Sequence, residues 1–283
     1  MLAGQTVQAS QLPFSTVFKG EKRFREFVTK TAPHVERIRA LPIGERTAFF
    51  GEMLLGTPYK SYTLEIDDHI EAPSVNLEGL DCWTFFEVAL AKARMCQHDP
   101  AQWSPQLLLR YIEVDRYWGG KCDSTYTSRL HYLEDWARDN DRRGLVDDLT
   151  MKLGGIGVRN AATEMTNNWK GYRYMVSSAK MRQEIAKLEA RLRKQPLPMI
   201  PTAKVPGVEP QLRNGDIISI VSRDGDAYGT SHVGLAVRRD GVLRFMHASS
   251  PRNHGKVVLD SRLTDYLKRY KTHAGIMVAR PVR

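Results

Sequence analysis

This 283-residue sequence predicts an α+β fold, with helices first and an antiparallel sheet last. Two contrasts carry that expectation. Helical periodicity recurs from residue 18 to about residue 192, whereas short β-branched segments separated by turn signals follow residue 214. Between the first helices and the sheet, "CWTFFEVALAKA" is apolar nearly all the way round, as expected of a central buried helix. At 42% hydrophobic residues the chain can bury a substantial core, and no internal repeat is visible.

The elements follow in order. Residues 18 to 56 read as helices: "KRFREFVTK" places Phe24, Phe27 and Val28 at helical spacing, and "ERTAFFGEMLLG" ends on a glycine suited to a helix stop. "GTPYKSYTLEIDDHIEAPSVNLEGL" is a loop-rich entry to the cysteine helix. "PQLLLRYIEVD" is helical, and "RYWGGKCDSTYTSRLHYLEDW" is a loop leading to a short amphipathic helix. In "AKMRQEIAKLEARLRK", Met181, Ile185, Leu188 and Leu192 form one stripe among charges, the pattern of a surface helix with a single buried face. The proline-rich "QPLPMIPTAKVPGVEPQLRNGD" reads as an extended connector. After it "DIISIVS", "SHVGLAV", "VLRFMHA", "KVVL" and "GIMVARP" read as strands.

Composition excludes some classes. No window reaches the ~18 uninterrupted apolar residues of a membrane span, and "MLAGQTVQAS" lacks the basic-then-apolar layout of a signal peptide. Either the protein is cytoplasmic or a signal belongs ahead of this sequence. Three cysteines, Cys82, Cys96 and Cys122, cannot form a disulfide framework, so at least one thiol is free. The net charge of +10 favours anionic partners, but the basic residues are dispersed and no nucleic-acid-binding motif is present.

Asp81 sits where an N-cap belongs, which puts Cys82 in the first helical turn; there unsatisfied N–H groups and the helix dipole favour a thiolate. On this stretch alone, a small buried residue is the favoured reading of Cys82. The sheet adds two histidines. If Asp240 and Gly241 form a two-residue hairpin turn, Gly234 faces His247 and His232 lies diagonal to His247 on the same face, within roughly 7–8 Å. A cysteine at a helix start with paired imidazoles on a sheet is the layout of an activated thiol. Core histidines and a zinc site on Cys82, His232 and His247 are the rival readings, the latter without a CxxC or HxxxH pairing to preform it.

"LLGTPY", "LDCWTFFE", "SRLHYLEDW", "NGDIISI", "SHVGLAV", "HASS" and "KVV", in that order over residues ~47 to 280, resemble the DUF1460 family of N-acetylmuramoyl-L-alanine amidase-like proteins. More broadly they resemble the NlpC/P60 superfamily of papain-like cysteine peptidases and amidases. The resemblance implies a papain-like fold, in which N-terminal helices precede a central cysteine helix packed on an antiparallel sheet or barrel. It divides the chain into an N-terminal helical extension, residues 1–45, and an amidase domain, residues 46–283, with a helical insertion around 100–205.

It further implies that Cys82 is the nucleophile, His232 the general base and His247 the orienting member. Tyr59 of "GTPY" would lie beside the thiol, although the interval from Tyr59 to Cys82 is longer than in compact NlpC/P60 domains. Substrate contacts are expected from Tyr59, Asp81 and Ser231 around the thiol, and from the segment 117–132. There Trp118 and Tyr132, with Tyr126, offer flat faces to sugars; Arg129 offers a fork to a carboxylate, and His131 adjoins it, with a packed loop of ordinary core aromatics as the equal alternative. The implied reaction is hydrolysis of the bond between N-acetylmuramic acid and L-alanine in peptidoglycan fragments (muropeptides), with no metal or organic cofactor, in the periplasm or cell envelope of a bacterium. A γ-D-glutamyl-diamino acid endopeptidase using the same triad and a catalytically silent wall-binding module remain as alternatives.

Overall fold

The computed structural model describes residues 12–282. Its helices that matter for the site are α1 (Glu21–Thr31), α2 (Ile43–Glu52), α3 (Cys82–Met95), α4 (Pro105–Arg116), α5 (Leu133–Arg142), α6 (Ala179–Leu192) and α7 (Leu263–Lys268). An eight-stranded antiparallel sheet is built from β1 (Val146–Asp148), β2 (Ile156–Val158), β3 (Leu197–Pro201), β4 (Ile217–Asp224), β5 (Ala227–Arg239), β6 (Val242–Ala248), β7 (Val257–Arg262) and β8 (His273–Pro281). The spatial order is β2-β3-β8-β4-β5-β6-β7, with β1 also pairing β8. No helix among the described residues is long and apolar enough to cross a membrane.

Beyond its first two residues α3 is buried throughout, packed against α2, α4 and β5. It lies in a core that takes in Phe50, Leu235, Val237 and Met246 and also Val17, Phe24 and Phe27 from the N-terminal segment. Its burial includes charge that an apolar reading passes over. Glu87 is fully buried and accepts from Arg116 of α4 and from the Trp83 indole, which ties the start of α3 to its neighbour. On α6 the predicted stripe faces inward, with Ile185 and Leu192 buried against Tyr126, Tyr132 and Tyr174.

The expected extended connector is in part a strand. Residues 197–201 join the sheet as β3, between β2 and β8, despite two prolines. Its ladders are only two or three residue pairs long, so few N–H donors are needed, while Leu197, Met199 and Ile200 bury their side chains. Burial outweighs the proline signal here. The short β1 and β2, inside the segment read as helices and loops, also arise from tertiary pairing.

The hairpin forms as the sequence indicates. Asp240 and Gly241 both take positive φ, 51° and 76°, as a tight two-residue turn requires, and the register Arg239–Val242 runs on to Leu235–Met246. Gly234 follows in line with His247. A Cβ on Gly234 would lie 2.4 Å from the Met246 carbonyl oxygen and 2.8 Å from the Phe245 ring, so glycine is required for this approach.

Candidate active site

Cys82 opens α3 behind Asp81, whose carboxylate accepts from Thr84 N while Thr84 Oγ1 accepts from Asp81 N, a complete capping box. The segment holding Tyr59 is pinned alongside: Tyr59 bridges Leu80 in parallel, Lys60 N donates to Leu80 O and Leu80 N donates to Pro58 O. The long interval between Tyr59 and Cys82 therefore closes on itself.

On the facing sheet, a β-bulge at Ser231 shifts the register between β4 and β5 just before His232. Such bulges turn a strand locally and re-aim the next side chain. The backbone N–H of Val233 then donates to the Cys82 sulfur, which brings the start of α3 against the strand that carries His232. His232 Nε2 lies 2.6 Å from His247 Nδ1, and His247 Nε2 lies 3.2 Å from Asp260 Oδ2. Asp260 is clamped by both terminal nitrogens of Arg269 and by the Ser261 backbone. The Phe245 ring stacks on His247 at 4.8 Å, filling the space over Gly234 and holding the imidazole from one side.

The diagonal placement that the hairpin sets thus lets the two imidazoles meet tip to tip. Asp260 was missing from the sequence-based site. It is the residue directly after "KVVL", and its signal was a lone carboxylate within a strand that follows the "HASS" segment.

Electrostatics overturn one expectation. Burial, followed by the neighbouring Asp81 carboxylate, pushes the Cys82 thiol up to about 12, against the hydrogen bonds from Val233, Trp83 and its own backbone. Asp81 caps the helix but opposes the thiolate instead of favouring it. His232 is driven down to about 3 by burial and by His247. At rest the pair is a neutral thiol beside a neutral imidazole. Burial works against the Asp260 carboxylate, but hydrogen bonds from His247 and Arg269 hold it ionised well below the usual range. Tyr59 keeps its proton, held by burial and by the nearby Cys82 and Asp81, so its hydroxyl is a donor.

These groups open onto a cavity of about 640 Å³ lined by Tyr59, Asp81, Cys82, His131, Tyr132, Ser231 and His232, among others. Ser231 is exposed at the rim and shares a 2.7 Å hydrogen bond with Ser222. His131 turns Nε2 to the Tyr126 carbonyl, and burial with the adjacent Arg129 keeps it neutral. The Tyr132 hydroxyl donates to Glu189, leaving its ring as the contact surface. His247 and Asp260 stand behind His232, outside the lining. Among the described residues no cluster of three or more His, Cys, Asp or Glu side chains is arranged to hold a metal ion.

Two expected substrate contacts fail. Arg129 borders the cavity, but its guanidinium is 4% exposed and bonded to Glu65, Glu71 and the Leu64 carbonyl, so it has no fork to offer a ligand carboxylate. It is a buried cross-link in which Tyr117 and Tyr126 also donate to Glu71 and Glu65. Trp118 lies away from the cavity under Arg191, whose guanidinium stands 5.6 Å from the ring centroid.

Residues 49–276 match the model of a family described as N-acetylmuramoyl-L-alanine amidase-like. The chain belongs to that family. Among solved structures this amidase-like chain is similar to an N-acetylmuramoyl-L-alanine amidase from Bacteroides uniformis, with a TM-score of 0.74 at 29% identity over 85% of this chain and 99% of that one. A Bacteroides fragilis protein provisionally described as a xylanase is 34% identical over 82% of this chain and 99% of its own, with a TM-score of 0.72. A Legionella pneumophila protein of the DUF1460 family shares the fold at a TM-score of 0.66 and 22% identity, over 93% and 97% of the two chains. No curated protein matches. For the amidase-like family, a hydrolase acting on peptidoglycan is the activity to which the cavity must be fitted.

Proposed function

We propose that the protein is a cysteine amidase of the papain-like NlpC/P60 type. In this reading it hydrolyses the amide between the lactyl group of N-acetylmuramic acid and L-alanine in muropeptides. The observation that carries this reading is the unbroken polar chain behind the cavity, from His232 through His247 to Asp260, next to the one cysteine that opens into it.

Proton bookkeeping follows from that chain. Ionised Asp260 accepts from His247 Nε2–H, which leaves His247 Nδ1 as an acceptor for His232 Nε2–H. His232 Nδ1 is then the lone-pair nitrogen available to the thiol. As Cys82 sulfur bonds to the lactyl carbonyl carbon, its proton passes to His232 Nδ1 and the imidazolium is stabilised through His247 by Asp260. The oxyanion takes donors from the start of α3 and the Tyr59 hydroxyl, where each donor is worth roughly 3–4 kcal/mol. The C–N bond breaks as His232 protonates the departing alanine amine. Water, deprotonated by the same nitrogen, then releases the muramic acid from the thioester. This reading puts the enzyme in the periplasm or cell envelope for wall turnover, or in the cytoplasm for recycling of the fragments.

The test is to incubate wild type and Cys82→Ala with defined muropeptides and identify the cleaved bond by mass spectrometry. Free stem peptide beginning with L-alanine, formed by wild type only, is the expected result. Cleavage after D-glutamate would instead make it an endopeptidase. Equal activity in the variant, or cleavage of a glycosidic bond as the name of the Bacteroides fragilis neighbour implies, would overturn the cysteine amidase.

A further inference from the structure

The buried carboxylates of this protein are almost all matched. Among the described residues, Glu65 and Glu71 face Arg129, Glu87 faces Arg116, Asp115 faces Arg94, Asp135 faces Arg138 and Arg191, Asp139 faces Arg142 and Arg143, Glu209 faces Arg262, Asp216 faces Arg280, and Asp260 faces Arg269. Glu189 has no guanidinium but collects Tyr132, Thr166 and two backbone N–H groups. Glu134 is the exception. It is 4% exposed, its Oε1 accepts from Asn160 Nδ2 at 3.0 Å, its own backbone N–H is the one other donor to the carboxyl, and its Oε2 has no partner.

Asn160 is equally buried, and its Oδ1 also lacks a donor. Both residues line the cavity that holds Cys82. Two orphaned acceptor oxygens, one on a carboxyl group, therefore lie buried in the wall of the same space, just beneath its surface. Leaving such groups dry and unmatched costs free energy, which a ligand carrying both donors and positive charge returns on binding. Acidic side chains outnumber basic ones in the rest of that wall: Asp81, Glu164 and Asp224 line it with Arg223, while Glu65 and Arg129 neutralise each other. In a chain of net charge +10, a cavity wall of this sign is a local selection for cations.

We propose that Glu134 and Asn160 form a subsite for a primary ammonium group on the peptide portion of the substrate. The sheet gives its reach. Asn160 bridges Tyr228, four residues before His232 on β5, a separation of at most roughly 13 Å along a strand, shortened by the Ser231 bulge. That span corresponds to a side-chain ammonium about three residues beyond the scissile amide, as a diamino acid in the stem would carry. A sugar offers hydroxyl donors but no cation. This inference rests on the amidase reading for its substrate, whereas the ammonium subsite itself is testable by binding alone.

The experiment uses the full chain with Cys82→Ala, so that nothing is cleaved. Calorimetry compares a muramoyl tripeptide ending in a diamino acid, the same ligand N-acetylated on its side-chain amine, and the version with alanine in third place. We expect the free-amine ligand to bind at least tenfold tighter than either analogue. Adding Glu134→Gln, which keeps the bond from Asn160, should abolish the difference while leaving the analogues' affinities unchanged. Equal affinity for all three ligands in the Cys82→Ala protein overturns the subsite without any mutation at Glu134; so does an ammonium preference that survives Glu134→Gln. Failure of cleavage by the wild-type enzyme, with the binding preference intact, would strike the amidase reading and spare the subsite.

Discussion

His232 Nε2 and His247 Nδ1 stand 2.6 Å apart, with the two rings nearly perpendicular at 88°. A bond this short between two imidazoles needs one to donate and the other to accept, and Asp260 decides which. Replacing Asp260 by Asn removes the charge that holds His247 with its proton on Nε2. The expected result is a fall in kcat on the order of 10²–10⁴ with little change in KM. Steady-state kinetics on a defined muropeptide measure it, and a change confined to KM would contradict the relay.

The neutral resting pair has a signature in alkylation. With the Cys82 thiol pushed up to about 12, its reaction with iodoacetamide should keep rising about tenfold per pH unit beyond pH 9, where a free thiol levels off. Mass-spectrometric rates at Cys82 read this directly. A plateau between pH 5 and pH 8 would mean that the thiolate–imidazolium pair exists before substrate arrives.

Asp81→Asn separates the cap from the charge. Asparagine caps a helix as well as aspartate does, so thermal stability should hold within about 1 kcal/mol. Removing the carboxylate next to Cys82 should move the alkylation profile to lower pH. An unshifted profile would leave burial as the entire cause of the raised thiol.

His232 makes stability depend on acid. Below pH 6.5 the unfolded chain takes up a proton on this side chain that the folded protein refuses until about pH 3. Stability from this site is therefore complete above pH 6.5 and lost as pH falls towards 3, by up to about 1.4 kcal/mol per unit. Urea denaturation near pH 7 and near pH 4.5 should show a smaller acid loss in His232→Gln than in wild type, by on the order of 2 kcal/mol. Equal losses would refute the depressed imidazole.

Arg129→Ala should act on folding. Removing a buried guanidinium leaves Glu65 and Glu71 without their cation, a loss of about 3–5 kcal/mol in chemical denaturation. Arg129→Ala protein of wild-type stability but with raised KM would restore the role in substrate contact that the structure denies it.

Much of the site was legible in order along the chain. The N-cap before Cys82, the run of buried residues behind it, the Asp240–Gly241 turn and the two histidines on one hairpin all follow from local rules of capping, periodicity and turn geometry. Arg129 and Trp118 misled for one reason: an arginine or a tryptophan in a loop looks the same in sequence whether it faces a ligand or a buried partner. Glu65 and Glu71, which occupy Arg129, come from a segment about sixty positions earlier in the chain. Their pairing depends on how the loop before α3 packs.

By itself the sequence determined which groups are available: a thiol at a helix start, two imidazoles brought together by a two-residue turn, and a tyrosine just before the loop that leads to the thiol. Only the tertiary structure decided their protonation and their partners. The Ser231 bulge falls just before His232, whose ring meets His247, Asp260 joins from the next strand, and burial leaves thiol and imidazole neutral where the helix start alone predicts a thiolate. The physical reason is range. Caps and turns are settled by atoms a few residues apart, whereas desolvation and charge pairing sum over everything that packs around a group, and that neighbourhood is assembled only on folding.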